Sequence, residues 1–142
     1  MKLRDVMTSP AIGIGADESV EVAARHFTHY NIGAMPVWDG KGKLCGVVTD
    51  RDLVTRCLAA NRLPANTTVR QIMTSQVVTA DEQMDVAVAA RLMGRKQIRR
   101  LPVTEQGRLC GMVSLADLAI REDSTMDAAD ALTDISGNIA PK

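Results

Sequence analysis

The sequence predicts an α/β chain built from two copies of one strand–helix–hairpin–helix unit, and three observations carry that expectation. Met7-Thr8-Ser9 returns as Met73-Thr74-Ser75, Ala23-Ala24-Arg25 as Ala89-Ala90-Arg91, and Pro36-Val37 as Pro102-Val103, all at an offset of 66. Leu44-Cys45-Gly46 returns as Leu109-Cys110-Gly111, and Asp52-Leu53 as Asp117-Leu118, at an offset of 65. The one-residue change falls in a Gly-rich turn, where length varies cheaply. Within each copy, helical spacing alternates with short apolar runs, the mark of a repeated supersecondary unit.

The elements follow in order. Residues around Ile12 to Ile14, and Val77 to Thr79, read as short strands. From Ser19 onward Val20, Ala23, Ala24 and Phe27 recur at i, i+3, i+4, i+7, one face of a helix that Asp17 or Ser19 caps. In the second copy Asp81 or Gln83 opens the helix, and Val86, Ala89, Ala90 and Met93 carry the stripe. Met35 to Trp38, the turn Asp39-Gly40-Lys41-Gly42, and Leu44 to Val48 read as a hairpin with a Gly-containing loop. Leu101 to Thr104, Glu105-Gln106-Gly107 and Leu109 to Val113 repeat it. A second helix follows in each copy, Arg51 to Ala60 and Ala116 to Arg121; Leu53, Val54, Cys57 and Leu58 give the first its apolar face. Neither copy alone covers both faces of so small a sheet, so the two are expected to pair about a pseudo-twofold.

These elements divide the chain into a first copy over 1–62 and a second over 63–122. Residues 61 to 68, with Pro64, link the copies, and Val69 to Met73 forms one helical turn, so 63–72 holds linker and short helix. The tail, 123–142, keeps a weak amphipathic stretch, Met126 to Ile135, that packs on a partner or stays loose.

Composition narrows the function. The chain has 142 residues, with 17 Lys+Arg against 17 Asp+Glu, and this zero net charge removes the electrostatic footprint of a general nucleic-acid binder. Phe27, Tyr30 and Trp38 are the only aromatics, too few for a base-stacking platform. The start, MKLRDVMTSP, has no apolar run behind its charges, and no uncharged stretch approaches the ~18 residues of a membrane span. A cytoplasmic location with no membrane partner is expected. Cys45, Cys57 and Cys110 form no close pair and read as packed thiols, not nucleophiles. His26 and His29 stand at i, i+3 without a further ligand pattern, so no metal site is assigned. His29 is expected to be exposed beside Tyr30, and Met7, Met35, Met73 and Met93 to fill core. There is no GxxxxGK[ST] loop, Ser-His-Asp set or carboxylate pair, so the chain reads as a non-enzyme with no catalytic cofactor.

The most informative stretch is the step from hairpin to helix: Gly46-Val47-Val48-Thr49-Asp50-Arg51-Asp52, and Gly111-Met112-Val113-Ser114-Leu115-Ala116-Asp117. Each places a hydroxyl, and three residues later a carboxylate, where a buried strand opens into a helix. Two readings stand. The pair closes a capping box that satisfies the helix's orphan donors. Alternatively, hydroxyl and open helix end bind phosphate or ribose oxygens while the carboxylate accepts from ribose hydroxyls. Gly46 and Gly111 carry no side chain to block a ligand lying on the strand.

Two copies of an MT-S…helix…PV…GhhT/S-x-x-D unit at this spacing resemble paired cystathionine-β-synthase (CBS) domains, a Bateman module of the stand-alone bacterial type. The resemblance covers about residues 3 to 122. It implies an α/β disc, commonly a homodimer, with adenosine ligands (AMP, ADP or ATP foremost, NAD-type dinucleotides or S-adenosylmethionine) in two clefts between the copies. It implies that Thr49 and Asp52, and Ser114 and Asp117, hold ribose and phosphate. It also implies an adenine pocket lined by Ile12, Gly13, Met35 and Pro36, and by Val77, Val78, Leu101 and Pro102. Arginines before the Pro-Val step often reach phosphates in such proteins, which points to Arg99 and Arg100; Gly33 and Ala34 stand there in the first copy, where Arg51 at the helix start is the available cation. Alternatively, Arg95, Lys96, Arg99 and Arg100 are a solvated helix end. The resulting expectation is a regulatory sensor acting through its dimer or an unidentified protein partner. The other reading is an empty scaffold for dimerisation and docking.

Overall fold

The computed structural model describes residues 1–119 and 125–137. The chain divides into two compact units whose borders cross the sequence repeats. Unit 2 is Ile12–Val77, and unit 1 joins Met1–Ala11 to the chain from Val78 onward.

In unit 2, β1 (Ile14–Gly15) pairs parallel with β2 (Ala34–Trp38), which pairs antiparallel with β3 (Leu44–Thr49). The first strand begins two residues later than the sequence suggested. Gly13 explains the delay: a Cβ there would lie 2.7 Å from the Pro36 carbonyl oxygen, so the lead-in is packed on β2 before its ladder starts. α1 (Val20–Tyr30) is capped by Ser19, whose Oγ accepts from the Val22 N–H at 3.2 Å, and ends at Asn31 in the left-handed region (φ 53°), which asparagine tolerates. Val20, Ala23 and Phe27 are buried, while Ala24 faces solvent.

α2 (Asp50–Asp52) widens into a π-helical stretch over Leu53–Leu58, where the Ala59 N–H donates to the Val54 carbonyl five residues back at 2.8 Å. The wider turn breaks the expected four-residue apolar face. Cys57 is fully buried and Leu53 partly so, but Val54 and Leu58 are exposed. A 3-10 turn at Pro64–Asn66 leads into α3 (Val69–Ile72), with Val69 and Ile72 in the core of unit 2.

Unit 1 repeats the plan with β4 (Ala80–Asp81), α4 (Val86–Lys96), β5 (Arg100–Glu105), β6 (Arg108–Ser114) and α5 (Leu115–Ala119). Its sheet order is β4-β5-β6, parallel then antiparallel. The strand lies after Val77 to Thr79, and the cap of α4 is Asp85, not Asp81 or Gln83. Asp85 accepts from the Ala87 N–H at 2.9 Å, while Asp81 spends an oxygen on the Gln83 N–H in the preceding turn. The stripe Val86, Ala89, Ala90 and Met93 is buried as expected. Ile120 and Arg121, the expected end of the last helix of the copy, lie outside the described residues.

The tail forms α6 (Thr125–Gly137), which packs on α4 within its own unit. Ala131 is buried where α4 has Gly94, and a Cβ on Gly94 would fall 2.9 Å from the Ala131 Cα. Ala131 shares a core with Ala90; unit 2 has no such helix among the described residues, which accounts for the exposure of Ala24.

The units cross the repeats because each Met-Thr motif joins the other copy's hairpin. Thr8 donates its N–H to the Met112 carbonyl at 2.8 Å and accepts from the Met112 N–H at 3.0 Å. Thr74 and Val47 exchange the same two bonds, each at 2.9 Å. The missing side chains of Gly46 and Gly111 make room for this pairing, not for a ligand. Their faces are filled by the Met73 and Met7 sulfurs, and a Cβ on either would lie 3.0 Å from the carbonyl oxygen of Thr74 or Thr8.

A branched side chain at either position must push this backbone aside. Gly46→Val and Gly111→Val are expected to cost about 1–3 kcal/mol each, the range of overpacking. Gly40→Ala, with nothing within 4 Å of its added carbon, should leave stability unchanged or slightly raised. Urea unfolding midpoints check this; equal midpoints for Gly46→Val and wild type would contradict the packing account.

Candidate functional site

Both hairpin-to-helix steps have the same geometry. In unit 2 the Thr49 N–H donates to Asp52 Oδ2 at 2.9 Å and the Asp52 N–H donates to Thr49 Oγ1 at 3.1 Å. In unit 1 the Ser114 N–H donates to Asp117 Oδ2, and the Asp117 N–H to Ser114 Oγ, both at 3.0 Å. Thr49, Asp52, Ser114 and Asp117 are therefore reciprocal capping pairs. Each stays half-buried, at the end of β3 or β6, with its second carboxylate oxygen outside the cap.

The strand that starts beside each step fixes its surroundings. In unit 1 Arg100 is in register with Ser114, and the Leu115 N–H donates to the Arg99 carbonyl at 2.8 Å. This brings Arg99, Arg100, Ser114 and Asp117 to one edge of the sheet. The two guanidinium groups are exposed and make no ion pair among the described residues. In unit 2 Ala34 is in register with Thr49, and the Asp50 N–H donates to the Gly33 carbonyl at 3.0 Å. There the nearby cation of the expected set is the exposed Arg51.

The residues expected to line adenine pockets divide by depth. Met35 and Leu101 have no exposed surface and belong to the two cores, so their side chains hold the sheet and present nothing to a ligand. Pro36 and Pro102 are also buried. Ile12 and Val78 pack half-buried on the cores of units 2 and 1, Val77 is half-buried, and Gly13 lies against Pro36 and Trp38.

One side chain escaped the sequence reading. Arg56 places Nε 3.7 Å from Asp52 Oδ1 and donates from Nη1 to the carbonyls of Ile72 and Met73 at 3.3 and 3.4 Å. A lone arginine in a helix carries no signal in sequence. Its target lies 16 residues on, at the end of α3, where a short helix leaves carbonyls without intrahelical partners.

Other candidates resolve plainly. Cys45 and Cys110 are the extra residues of two matching β-bulges, opposite the steps Val37/Trp38 and Val103/Thr104. Burial pushes both thiols up from their ordinary range. His26 Nδ1 sits 3.0 Å from the Val22 carbonyl and its ring stacks on Tyr30, and the exposed His29 meets Tyr30 edge-on. Among the described residues no three of His, Cys, Asp and Glu gather as metal ligands, and no helix is long and apolar enough to cross a membrane.

Comparison with known proteins agrees with this duplicated architecture. The CBS-domain family model matches residues 3–59 and 69–124. The CBS domain-containing protein YhcV of Bacillus subtilis is 37% identical over 134 residues, covering 94% of each chain. Hypoxic response protein 1 of Mycobacterium tuberculosis is 32% identical over 116 residues, covering 82% of this chain and 81% of its own. A crystal structure of Hypoxic Response Protein I with two coordinated zinc ions superposes with a TM-score of 0.77 at 31% identity, covering 84% of this chain and 97% of that one. The CBS domain pair of protein MJ0100, in complex with 5′-methylthioadenosine and S-adenosyl-L-methionine, superposes with a TM-score of 0.74 at 31% identity, covering 84% and 93%.

Two outcomes follow from the local chemistry. Ser114→Ala removes one acceptor from its cap and should lower stability by about 1 kcal/mol, read as a shift in the urea midpoint. Because burial raises both thiols above their ordinary range, Cys45 and Cys110 should alkylate with iodoacetamide more slowly than a free thiol at pH 8, and the gap should narrow at higher pH, where the free thiol is already ionised. Mass spectrometry of the labelled peptides checks this, and labelling as fast as a free thiol at pH 8 would contradict it.

Proposed function

The chain belongs to the CBS-domain family, and on that premise we propose that it is a non-enzymatic regulatory module that binds adenosine-containing ligands. The observation carrying this reading is the duplicated junction: Thr49 with Asp52, and Ser114 with Asp117, in one geometry and half-exposed at the end of a strand. A carboxylate with one oxygen held by the cap and the other outside it suits the paired hydroxyls of a ribose. The exposed Arg99 and Arg100 beside Ser114 suit a phosphate, since a guanidinium offers a planar fork of donors. AMP, ADP and ATP are therefore the foremost ligands at the unit 1 junction. At unit 2, Gly33 and Ala34 replace the arginines, leaving Arg51, so an uncharged 5′ substituent fits better there. The complex of the MJ0100 pair with 5′-methylthioadenosine and S-adenosyl-L-methionine supports the ligand class.

Binding acts by shifting a population between conformers of the chain or of its homodimer, and a protein partner reads that shift. A second reading has one observation in its favour: the carboxylate–hydroxyl pairs are already engaged as caps. On that reading the domain is a ligand-free scaffold for dimerisation and protein docking.

Thermal unfolding against AMP, ADP, ATP, NAD and S-adenosylmethionine separates the two. A ligand at a hundred times its dissociation constant should add about 2.7 kcal/mol, a rise of several degrees. Asp52→Ala with Asp117→Ala should abolish that rise, beyond the roughly 1 kcal/mol each change costs as a lost cap. A folded protein whose melting temperature ignores the whole panel would establish the scaffold instead.

A further inference from the structure

We infer that Arg56 is a positioning residue that couples the Asp52 carboxylate to the crossing segment Ile72–Thr74, making that carboxylate and the Met-Thr bridge of unit 2 one linked device. Three contacts carry the inference. Asp52, with only 13% of its side chain exposed, gives Oδ2 to the Thr49 N–H and turns Oδ1 toward Arg56 Nε at 3.7 Å. The other side of the same guanidinium donates to the carbonyls of Ile72 and Met73. The next residue, Thr74, makes the two-bond bridge to Val47 on β3, the strand that ends at Thr49.

The physics of the link is electrostatic and geometric. The end of α3 leaves its last carbonyls without intrahelical donors and with partial negative charge, so a guanidinium there is favoured. Arg56 is half-exposed, and without an anchor its long side chain would spend part of its time in water. Asp52, largely shielded and fixed by its cap, is that anchor. It holds Nη1 beside the two carbonyls, and that nitrogen in turn holds the segment that supplies the bridge. Arg56 stands four residues after Asp52, a spacing that puts the two side chains on one helical face, and its Nη1 also reaches the end of α3. An alcohol donating to Asp52 Oδ1 would compete with Arg56, so its arrival would reach Thr74. That consequence rests on the ligand reading proposed above, whereas the link itself does not.

Amide hydrogen exchange followed by NMR on the full chain tests the link without a ligand. Arg56→Gln removes the cation, and Asp52→Asn removes the anchor's charge while keeping an acceptor for the Thr49 N–H. Each is expected to speed exchange of the Thr74 amide by about threefold to fivefold, the scale of a partly exposed ion pair. The double variant should be no faster than either single one, because both break the same link. Amides of β5 and β6 in unit 1 serve as the reference and should stay at their wild-type rates. Wild-type exchange at Thr74 in Asp52→Asn, multiplied effects in the double variant, or equal acceleration of the unit 1 reference would each overturn the inference. A wild-type protein that binds no adenosine compound would overturn the function proposed above and leave these exchange rates to decide the link.

Discussion

Everything else in this molecule hangs on a two-bond backbone bridge made twice, Thr74 with Val47 and Thr8 with Met112, each laid beside a glycine. A net hydrogen bond contributes only about 0.5–1.5 kcal/mol, so the bridges matter less for their energy than for what they require. Each requires a strand residue with no side chain, a methionine whose sulfur fills the space, and a segment of one sequence repeat that completes the sheet built by the other. The residues ahead of β1 finish the sheet face of unit 1, and α3 with Met73 and Thr74 finishes that of unit 2. Neither sequence repeat therefore holds all the residues of one compact unit.

That constraint also shapes the junction. β3 and β6 are fixed in mid-strand by the bridges, and the helix that follows each must start within three residues. The reciprocal cap of hydroxyl and carboxylate meets that demand by satisfying a donor on each side of the step. On the ligand reading proposed above, folding and recognition would draw on the same carboxylates without competing for the oxygen that the cap uses. The cap uses Oδ2 of Asp52 and Asp117, and in unit 2 the other oxygen of Asp52 faces Arg56.

Much of this was legible in the sequence because repetition is visible without any knowledge of contacts. The offsets of 66 and 65 gave both hairpins, both principal helices and both junctions, and the duplicated S/T-x-x-D step marked the caps. The boundaries of the compact units were not legible, because the Met-Thr motifs are identical in the two copies. Nothing in Met7-Thr8 or Met73-Thr74 says which hairpin each will join; only the closed chain decides. The glycines misled for the same reason, since an open strand face and one filled by a distant methionine look alike in sequence. Local competition explains the smaller differences. Three acceptors (Asp81, Gln83, Asp85) precede α4 and only geometry selects the last, and the π-helical widening after Asp52 departs from the 100° periodicity on which the expected Val54–Leu58 face depended.

Duplicated architecture does not mean duplicated chemistry, and the differences lie where the fold is indifferent to them. Gly33-Ala34 and Arg99-Arg100 begin equivalent strands, and the backbone bonds they make to Asp50 and Leu115 are the same. Because only the main chain of these residues is used in folding, their side chains are left to vary, and in unit 1 they became two exposed cations. The helix face that is buried beneath α6 in unit 1 is open at Ala24 in unit 2, where Thr28 replaces the glycine that lets α6 approach α4. A helix crossing as close as that of Ala131 over Gly94 needs a residue without a side chain, so α6 could not serve unit 2 in the same way. The two units thus differ in their side chains: unit 1 carries two exposed guanidinium groups and a covering helix, and unit 2 a carboxylate tied through Arg56 to the segment that closes its sheet.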